Sequence, residues 1–118
     1  MSISLVFTQA PNYLIAKITG EWKILDISKA IDDIKAEADK RHLDLILLDA
    51  IELSSPRDEM IRFATGEKIA ATFTFPRKLA GFAPREKINR FAETVAINRY
   101  ANFRIFPDEA DAIEWLLA

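Results

Sequence analysis

The stretch RFAETVAINRYANFRIFPDEADAIEWLL, residues 90–117, has a strongly regular apolar pattern. Its first part, together with the residues just before it, predicts an amphipathic helix that begins at Pro84, because apolar side chains recur at i, i+3, i+4, i+7 and i+8. These side chains are Ile88, Phe91, Ala92, Val95 and Ala96. FRIF then predicts a strand, and Pro107 with the acidic segment DEAD predicts the start of a last helix. In this last helix, the side chains expected to face a sheet are Ala110, Ile113 and Leu117.

The first part of the chain predicts a hairpin followed by a helix. ISLVFTQ and NYLIAKIT alternate apolar and polar residues and are joined by a short APN turn, which is typical of a β-hairpin. Asp26 is the expected N-cap of the first helix. His42 follows this helix at a position where the backbone often turns left-handed. The apolar stripe of the helix falls on Ile27, Ile31, Ile34 and Ala38.

The middle of the chain predicts a parallel sheet. LDLILLD is apolar nearly throughout, which is typical of a strand covered on both faces, and such strands belong to α/β sheets. Ser55 is the expected N-cap of a second helix, with Pro56 at its first position. Gly66 weakens this helix by about 1 kcal/mol relative to Ala, which a close helix crossing would explain. The apolar face of the helix is expected at Met60, Phe63 and Ala64. KLAGFA predicts a further strand.

These elements predict an α/β fold in the order β-β-α-β-α-β-α-β-α. A chain of 118 residues falls in the common size range for one domain, so residues 1–118 are expected to form a single domain.

Several segments resemble the bacterial SpoIIAA-like family, which has the STAS-like fold and is also described as similar to the CRAL-TRIO lipid-transfer fold. The segments are RFATGEKIA, KLAGFAP, INRFAETVAINR and FRIFPDEADAIEWLL. The resemblance covers most of the chain from residue 21 onward, and it implies a mixed sheet with helices packed beside it. Two residues, His42 and Tyr100, stand where the family usually has glycine. Either Tyr100 or Asn102 is therefore expected at the left-handed position after the third helix.

Composition excludes several classes of function. The net charge of −2 gives no case for a nucleic-acid partner, and the absence of cysteine excludes disulfides, thiolate catalysis and cysteine-bound metals. The apolar runs are far shorter than the ~20 residues of a transmembrane helix. The first residues do not have the pattern of a signal peptide. We therefore expect a cytoplasmic protein without a transmembrane segment.

The sequence also argues against an enzyme. His42 is the single histidine and falls in a turn, so neither a histidine general base nor a Ser-His-Asp triad is expected. Gly20, Gly66 and Gly81 are too far apart for a phosphate-binding loop. Asp49 ends the buried strand and is the acid best placed to line a crevice, although a loop or cap role is the favoured interpretation. We expect no catalytic residue, no cofactor and no metal.

Two groups of residues are candidate sites. In the anti-sigma antagonist proteins that share the STAS-like fold, a phosphorylated serine at the start of the helix after the third strand switches partner binding. The resemblance thus makes Ser54 and Ser55 a candidate phosphosite, because a phosphate is favoured at a helix N-terminus. The switch motif of Asp before the pair and Gly after it is absent, since Leu53 and Pro56 flank the pair here. Helix capping by Ser55 is the alternative.

The second group is a set of phenylalanines around the second and third helices. The resemblance to lipid-transfer domains implies that these helices could part over an apolar ligand, whereas packing in the core is the alternative. The set comprises Phe63, Phe73, Phe75, Phe82 and Phe91. Two functions therefore remain open. One is a binding or regulatory module for an unknown protein partner, a homodimer through an exposed helix face included. The other is binding of a lipid or other apolar small molecule.

Overall fold

The computed structural model describes residues 2–118, so that Met1, which belongs to the predicted single domain, lies outside the described residues. The strands are β1 (Ser4–Gln9), β2 (Leu14–Thr19), β3 (Leu45–Asp49), β4 (Lys78–Phe82) and β5 (Phe103–Phe106). The helices are α1 (Ile24–Lys40), α2 (Glu59–Thr72), α3 (Phe91–Asn98) and α4 (Glu109–Leu117), with a short 3₁₀ turn at Arg85–Lys87. The predicted order β-β-α-β-α-β-α-β-α is confirmed.

The five strands form one mixed sheet in the order β1-β2-β3-β4-β5. β1 and β2 pair as the predicted antiparallel hairpin, and β2 through β5 are parallel to one another. Parallel neighbours need a crossover between them, and α1, α2 and α3 supply the three crossovers. This arrangement brings the carboxyl ends of four strands to the same edge of the sheet.

The two faces of the sheet are covered by different helices. Side chains of α1, α2 and α3 pack with Ile46 and Leu79 in one apolar cluster. Ala112 and Leu116 of α4 pack with Leu47 in the other. Successive residues of a strand point to opposite faces, so Ile46 and Leu47 belong to different clusters. This explains why LDLILLD is apolar nearly throughout.

Two helices end as the sequence predicts. His42 and Tyr100 have positive φ angles of 57° and 69°. After α1, the Leu43 amide donates to the Ala38 carbonyl, and after α3 the Ala101 amide donates to the Ala96 carbonyl in the same way. Each helix therefore ends in a Schellman motif with a non-glycine residue at its left-handed position.

The start of α2 differs from the prediction, and Ser55 is not its N-cap. The helix begins at Glu59, and the Asp58 carboxylate accepts a hydrogen bond from the Ile61 amide at 3.2 Å. The chain before it is held in an extended path, because Leu53 forms a β-bridge with Gly20. The predicted apolar face is also wrong at one position, because Met60 is 69% exposed. The buried residues of α2 are Thr65, Gly66, Ile69, Ala70 and Thr72.

The starts of α1 and α3 also need correction. α1 begins at Ile24, and Asp26 lies in its first turn instead of capping it. Pro84 precedes the 3₁₀ turn, whereas α3 itself begins only at Phe91. The Asn89 side chain accepts the Phe91 amide at 3.0 Å, and this local hydrogen bond competes with a continuous helix. Ile88 is therefore outside α3.

The last helix starts as predicted but presents a different face. The Asp108 carboxylate accepts hydrogen bonds from the Ala110 and Asp111 amides, so α4 begins directly after it. The buried residues are Ala112 and Leu116, while Ala110 and Leu117 are exposed. The prediction that Ala110 and Leu117 face the sheet is thus wrong.

Candidate functional site

The loops at the carboxyl ends of the parallel strands are linked to one another. We call residues 20–25, 50–60 and 83–90 the carboxyl edge. The Ser54 amide donates to the Gly20 carbonyl at 3.0 Å. The Lys87 Nζ lies 3.4 Å from the carbonyl oxygens of Ile51 and Leu53. Ligands of open α/β sheets bind outside the carboxyl ends of the strands, so a binding site is expected at this edge.

The serine pair lies at this edge but not at a helix N-terminus. Both residues are exposed, and the Ser54 hydroxyl donates to the Gly20 carbonyl at 3.2 Å. α2 begins four residues after Ser55, and Asp58 already caps it. The expectation that a phosphate here would meet free helix amides is therefore wrong. Phosphorylation of Ser54 or Ser55 stays a prediction that rests on exposure alone.

A tryptophan joins the carboxyl edge to α2. The Trp22 indole N–H donates to the Thr65 hydroxyl at 2.9 Å, and this hydroxyl donates to the Ile61 carbonyl at 2.7 Å. The Arg62 guanidinium lies 5.1 Å from the centre of the Trp22 ring, a cation–π distance. The sequence reasoning did not single out these residues, because their contact joins positions 43 residues apart in the chain.

A buried carboxylate joins α3 to β5. Glu93 is 8% exposed, and its Oε2 accepts the Ile105 amide at 2.7 Å. Its Oε1 accepts a hydrogen bond from Arg90 at 2.9 Å. Arg90 also donates to the Ile105 carbonyl at 3.1 Å and has a positive φ of 63°. The spacing of Arg90 and Glu93 favours an ion pair. Nothing in the sequence predicts that both residues also form hydrogen bonds with the backbone of β5.

An ion pair beside the same edge joins β2 to the loop after β3. The Lys17 Nζ lies 2.9 Å from Oε2 of Glu52. The hydrogen bond with Lys17 holds the pKa of Glu52 below its usual value, and the same bond raises the pKa of Lys17. Both groups therefore carry their charges at neutral pH. The pair is exposed, so it contributes more to the position of the loop than to stability.

The five candidate phenylalanines do not line one cavity. Phe63 and Phe91 are neighbours, with ring centres 6.4 Å apart. Phe73 is fully buried beneath α2, and Phe82 belongs to the cluster under α4 on the other side of the sheet. Phe75 is 86% exposed. Of this set, only Phe73 borders the cavity that lies between the sheet and the helices.

That cavity has a volume of about 90 Å³ and lies between the sheet and α1, α2 and α3. An engineered apolar cavity of about 150 Å³ binds benzene, and pockets for drug-sized ligands have roughly 300–1,000 Å³. A lipid would therefore require α2 and α3 to move apart, whereas a short apolar chain would not. The polar lining residues that are not buried, which we call the mouth, are Trp22, Ser55, Arg62, Lys87, Asn89 and Arg90.

The remaining polar candidates have local roles. The Asp49 carboxylate accepts the Ile51 amide at 3.2 Å, which stabilises the turn after β3. Within residues 2–118, no cluster of three or more histidine or acidic side chains could hold a metal ion. In the same range, no helix has the length and apolar character needed to cross a bilayer.

Comparison with protein-family models and with curated proteins finds no match. Solved structures of similar fold do exist. An anti-sigma factor antagonist from Mycobacterium paratuberculosis aligns over 99% of this chain and 96% of its own, with a TM-score of 0.68 and 14% identity. An uncharacterised protein from Shewanella loihica with a SpoIIAA-like fold aligns over 98% and 94%, with a TM-score of 0.57 and 20% identity.

The anti-sigma factor antagonist SpoIIAA in its unphosphorylated form also aligns, over 97% of this chain and 96% of its own, with a TM-score of 0.56 and 9% identity. Similarity at these identities establishes the fold. The chain has the SpoIIAA-like, STAS-like fold that its sequence resemblance implies.

Proposed function

We propose that this chain is a non-enzymatic regulatory module of the cytoplasm, a single domain that binds a protein partner at the carboxyl edge. One observation carries the proposal: large apolar side chains are exposed there. Leu25 and Met60 expose 81% and 69% of their surface, and Ile24 and Ile51 expose 47% and 45%. Groups of exposed apolar side chains are typical of protein–protein interfaces. The anti-sigma factor antagonists that share the fold support a partner of this kind.

Substitution at the edge tests this proposal. Leu25→Asp and Met60→Asp place a charge among the apolar side chains, and removal of an interface anchor typically weakens binding by at least tenfold. The matched control is Ile97→Asp, since Ile97 is a similarly exposed apolar residue of a helix outside the carboxyl edge. Cross-linking in cells would identify partners, and calorimetry with each purified partner would measure the dissociation constants. Equal affinity of all three variants would contradict the proposal.

A second copy of the chain is one such partner. Sedimentation velocity of the purified protein reports the subunit count, and a dimer that forms through the carboxyl edge is lost in Leu25→Asp but kept in Ile97→Asp. A dimer that survives all these substitutions would assign self-association to another surface.

The serine pair extends the proposal to regulation. Ser54 and Ser55 lie at the same edge and are exposed, so a phosphate on either would add negative charge beside the apolar side chains. We expect Ser55→Glu to weaken partner binding and Ser55→Ala to leave it unchanged. Intact-mass analysis of protein purified from its own host would detect the phosphate. Equal affinity of the two variants for the partner would contradict regulation of binding by phosphorylation.

Binding of an apolar small molecule is the second candidate function, and the cavity behind Trp22 favours it. Native mass spectrometry followed by denaturation tests this candidate. A retained ligand gives a native mass above a whole number of chains, and denaturation removes the excess. A mass equal to a whole number of chains would argue against a tightly held ligand.

A further inference from the structure

The mouth of the cavity carries more positive than negative charge. Among its lining residues are three cations, Arg62, Lys87 and Arg90, and one carboxylate, Glu93. The negative charge of Glu93 is compensated within the protein, because its carboxylate accepts hydrogen bonds from both Arg90 and the Ile105 amide. The charges of Arg62 and Lys87 have no counterpart among the residues that line the cavity.

Neither of these two cations makes a short hydrogen bond to a carboxylate within residues 2–118. The Arg62 side chain is only 11% exposed, and its Nε lies 3.5 Å from a Glu59 oxygen. That same oxygen already accepts a hydrogen bond from Asn89 at 2.9 Å. Lys87 contacts only carbonyl oxygens, at 3.4 Å. A guanidinium that is largely removed from water is costly when incompletely paired, so the mouth favours an anion.

The wall behind the mouth is apolar. It is formed by side chains from α1, from α2 and its C-cap residue, and from four strands, among them Ile27, Ile31, Ile69, Phe73, Leu79 and Phe103. A ligand that fits both regions has one charged end and one apolar end. The volume of about 90 Å³ limits the apolar end to a few carbon atoms, since benzene requires a cavity nearer to about 150 Å³.

We propose that this cavity binds a small anionic amphiphile. Its carboxylate lies at the mouth beside Arg62 and Lys87, and its short aliphatic chain lies among the apolar side chains of the wall. This inference rests on the second candidate function above, to which it adds the chemical class of the ligand. It does not depend on a protein partner at the carboxyl edge.

Three probes with the same four-carbon chain, short enough for a cavity of about 90 Å³, test the inference: butanoate, 1-butanol and butylamine. The chain contains two tryptophans, and each gives an indole N–H signal in NMR spectra. Trp22 lines the cavity, whereas Trp115 packs against Phe106 on the other side of the sheet and serves as an internal control. We expect butanoate to shift the Trp22 signal at the lowest concentration, butanol to shift it more weakly, and butylamine not to shift it. The Trp115 signal should remain unchanged.

Charge variants assign the head group to its site. Because a hydrogen bond to a charged group is strong, Arg62→Gln and Lys87→Gln should each lower the affinity for butanoate about tenfold and leave butanol binding unchanged. If Arg62→Gln disturbs the folding of α2, Lys87→Gln alone tests whether the carboxylate of the ligand lies at the mouth. Lys68→Gln is the matched control, because Lys68 is on α2 but pairs with Asp32 and does not line the cavity.

The outcomes separate this inference from the function on which it rests. If butanol binds as tightly as butanoate, the cavity binds apolar molecules without regard to charge, and the proposal of an anionic head group is wrong. If neither compound moves the Trp22 signal, both the inference and the second candidate function are wrong. If Lys68→Gln weakens butanoate binding as much as Lys87→Gln does, the effect reflects net charge and the assigned position of the carboxylate is wrong.

Discussion

Gly66 allows α2 and α3 to come into close contact. A Cβ atom at this position would lie 2.7 Å from the Ala92 carbonyl oxygen and 2.8 Å from the Val95 Cβ. The first of these atoms belongs to the backbone, so it cannot move without moving α3. The close helix crossing suspected from the sequence therefore accounts for a glycine in the middle of a helix.

Gly66→Ala should consequently destabilise the protein, although alanine is the better helix former by about 1 kcal/mol. Overpacking of this kind costs about 1–3 kcal/mol, so the free energy of unfolding should fall by an amount in that range. The control is Ala71→Gly at an exposed site of the same helix, which should cost about 1 kcal/mol through propensity alone. Chemical denaturation measures both variants. A gain in stability from Gly66→Ala would show that the helices have room to separate.

Single residues also show which features a sequence can predict. His42 was expected at one left-handed position and either Tyr100 or Asn102 at another, because a helix end is a local feature. Of these residues, His42 and Tyr100 have positive φ. Glu93 was not singled out as a buried acid. The buried Glu93 carboxylate is satisfied by the Ile105 amide, which lies 12 residues further along the chain. The two residues come together at the cavity only when α3 packs beside β5.

At the scale of elements, helix starts were the least predictable feature. Ser55 and Asp58 are both good N-cap residues, and the local sequence does not choose between them. The choice is made by the bridge between Leu53 and Gly20, which keeps the chain extended up to the serine pair. The cavity mouth was missed for a related reason, because Trp22 and Arg62 come together only through the packing of α2.

Two adjacent leucines test the face that α4 presents to the sheet. Leu116 is 1% exposed and Leu117 is 49% exposed. Leu116→Ala should lower the free energy of unfolding by about 2–5 kcal/mol, because it leaves a cavity between α4 and the strands. Leu117→Ala removes the same atoms from a half-exposed position and should cost well under half as much. Thermal and urea unfolding of the two variants gives the comparison, and equal losses would contradict the assigned face.

Asp39, near the end of α1, forms two ion pairs, and the one with Arg77 connects α1 with the chain before β4. The Asp39 carboxylate contacts Arg77 at 2.6 Å and Lys35 at 3.0 Å. The hydrogen bond from Arg77, and then that from Lys35, lowers the pKa of Asp39 below its ordinary value of 3.8. A lowered folded-state pKa contributes stability above the unfolded-state pKa, and this contribution is lost as the pH falls through the folded-state pKa.

Asp39→Asn should therefore destabilise the protein at neutral pH, by less than about 1 kcal/mol because the pair is partly exposed. The difference from the unsubstituted protein should shrink as the pH falls below the ordinary value of 3.8. Asp44→Asn is the control, since within residues 2–118 the Asp44 carboxylate has no ion pair. Urea unfolding between pH 7 and pH 3 measures both. A difference that stays constant with pH would contradict the electrostatic explanation.

At the scale of the whole molecule, the two sides of the sheet are unequal. α1, α2 and α3 pack on one side, where α2 contacts both α1 and α3, whereas α4 alone among the described helices covers the other side. The order of elements along the chain was predictable from apolar periodicity. The side on which α4 lies was not, because its amphipathic pattern is compatible with either face of a sheet whose central strands are apolar on both.

This asymmetry predicts that α4 opens before the rest of the molecule. Separation of α4 exposes only the smaller cluster around Leu47 and Leu116 and leaves the other side intact, so it should require less free energy than global unfolding. Native-state hydrogen exchange at low denaturant should therefore give α4 amides a smaller opening free energy and a smaller denaturant dependence than β3 amides. Amides of α1, which packs on the larger cluster, are the control and should follow β3. If α4, α1 and β3 instead share one opening free energy and one denaturant dependence, the two sides unfold as one cooperative unit, and α4 is as firmly held as the three helices opposite it.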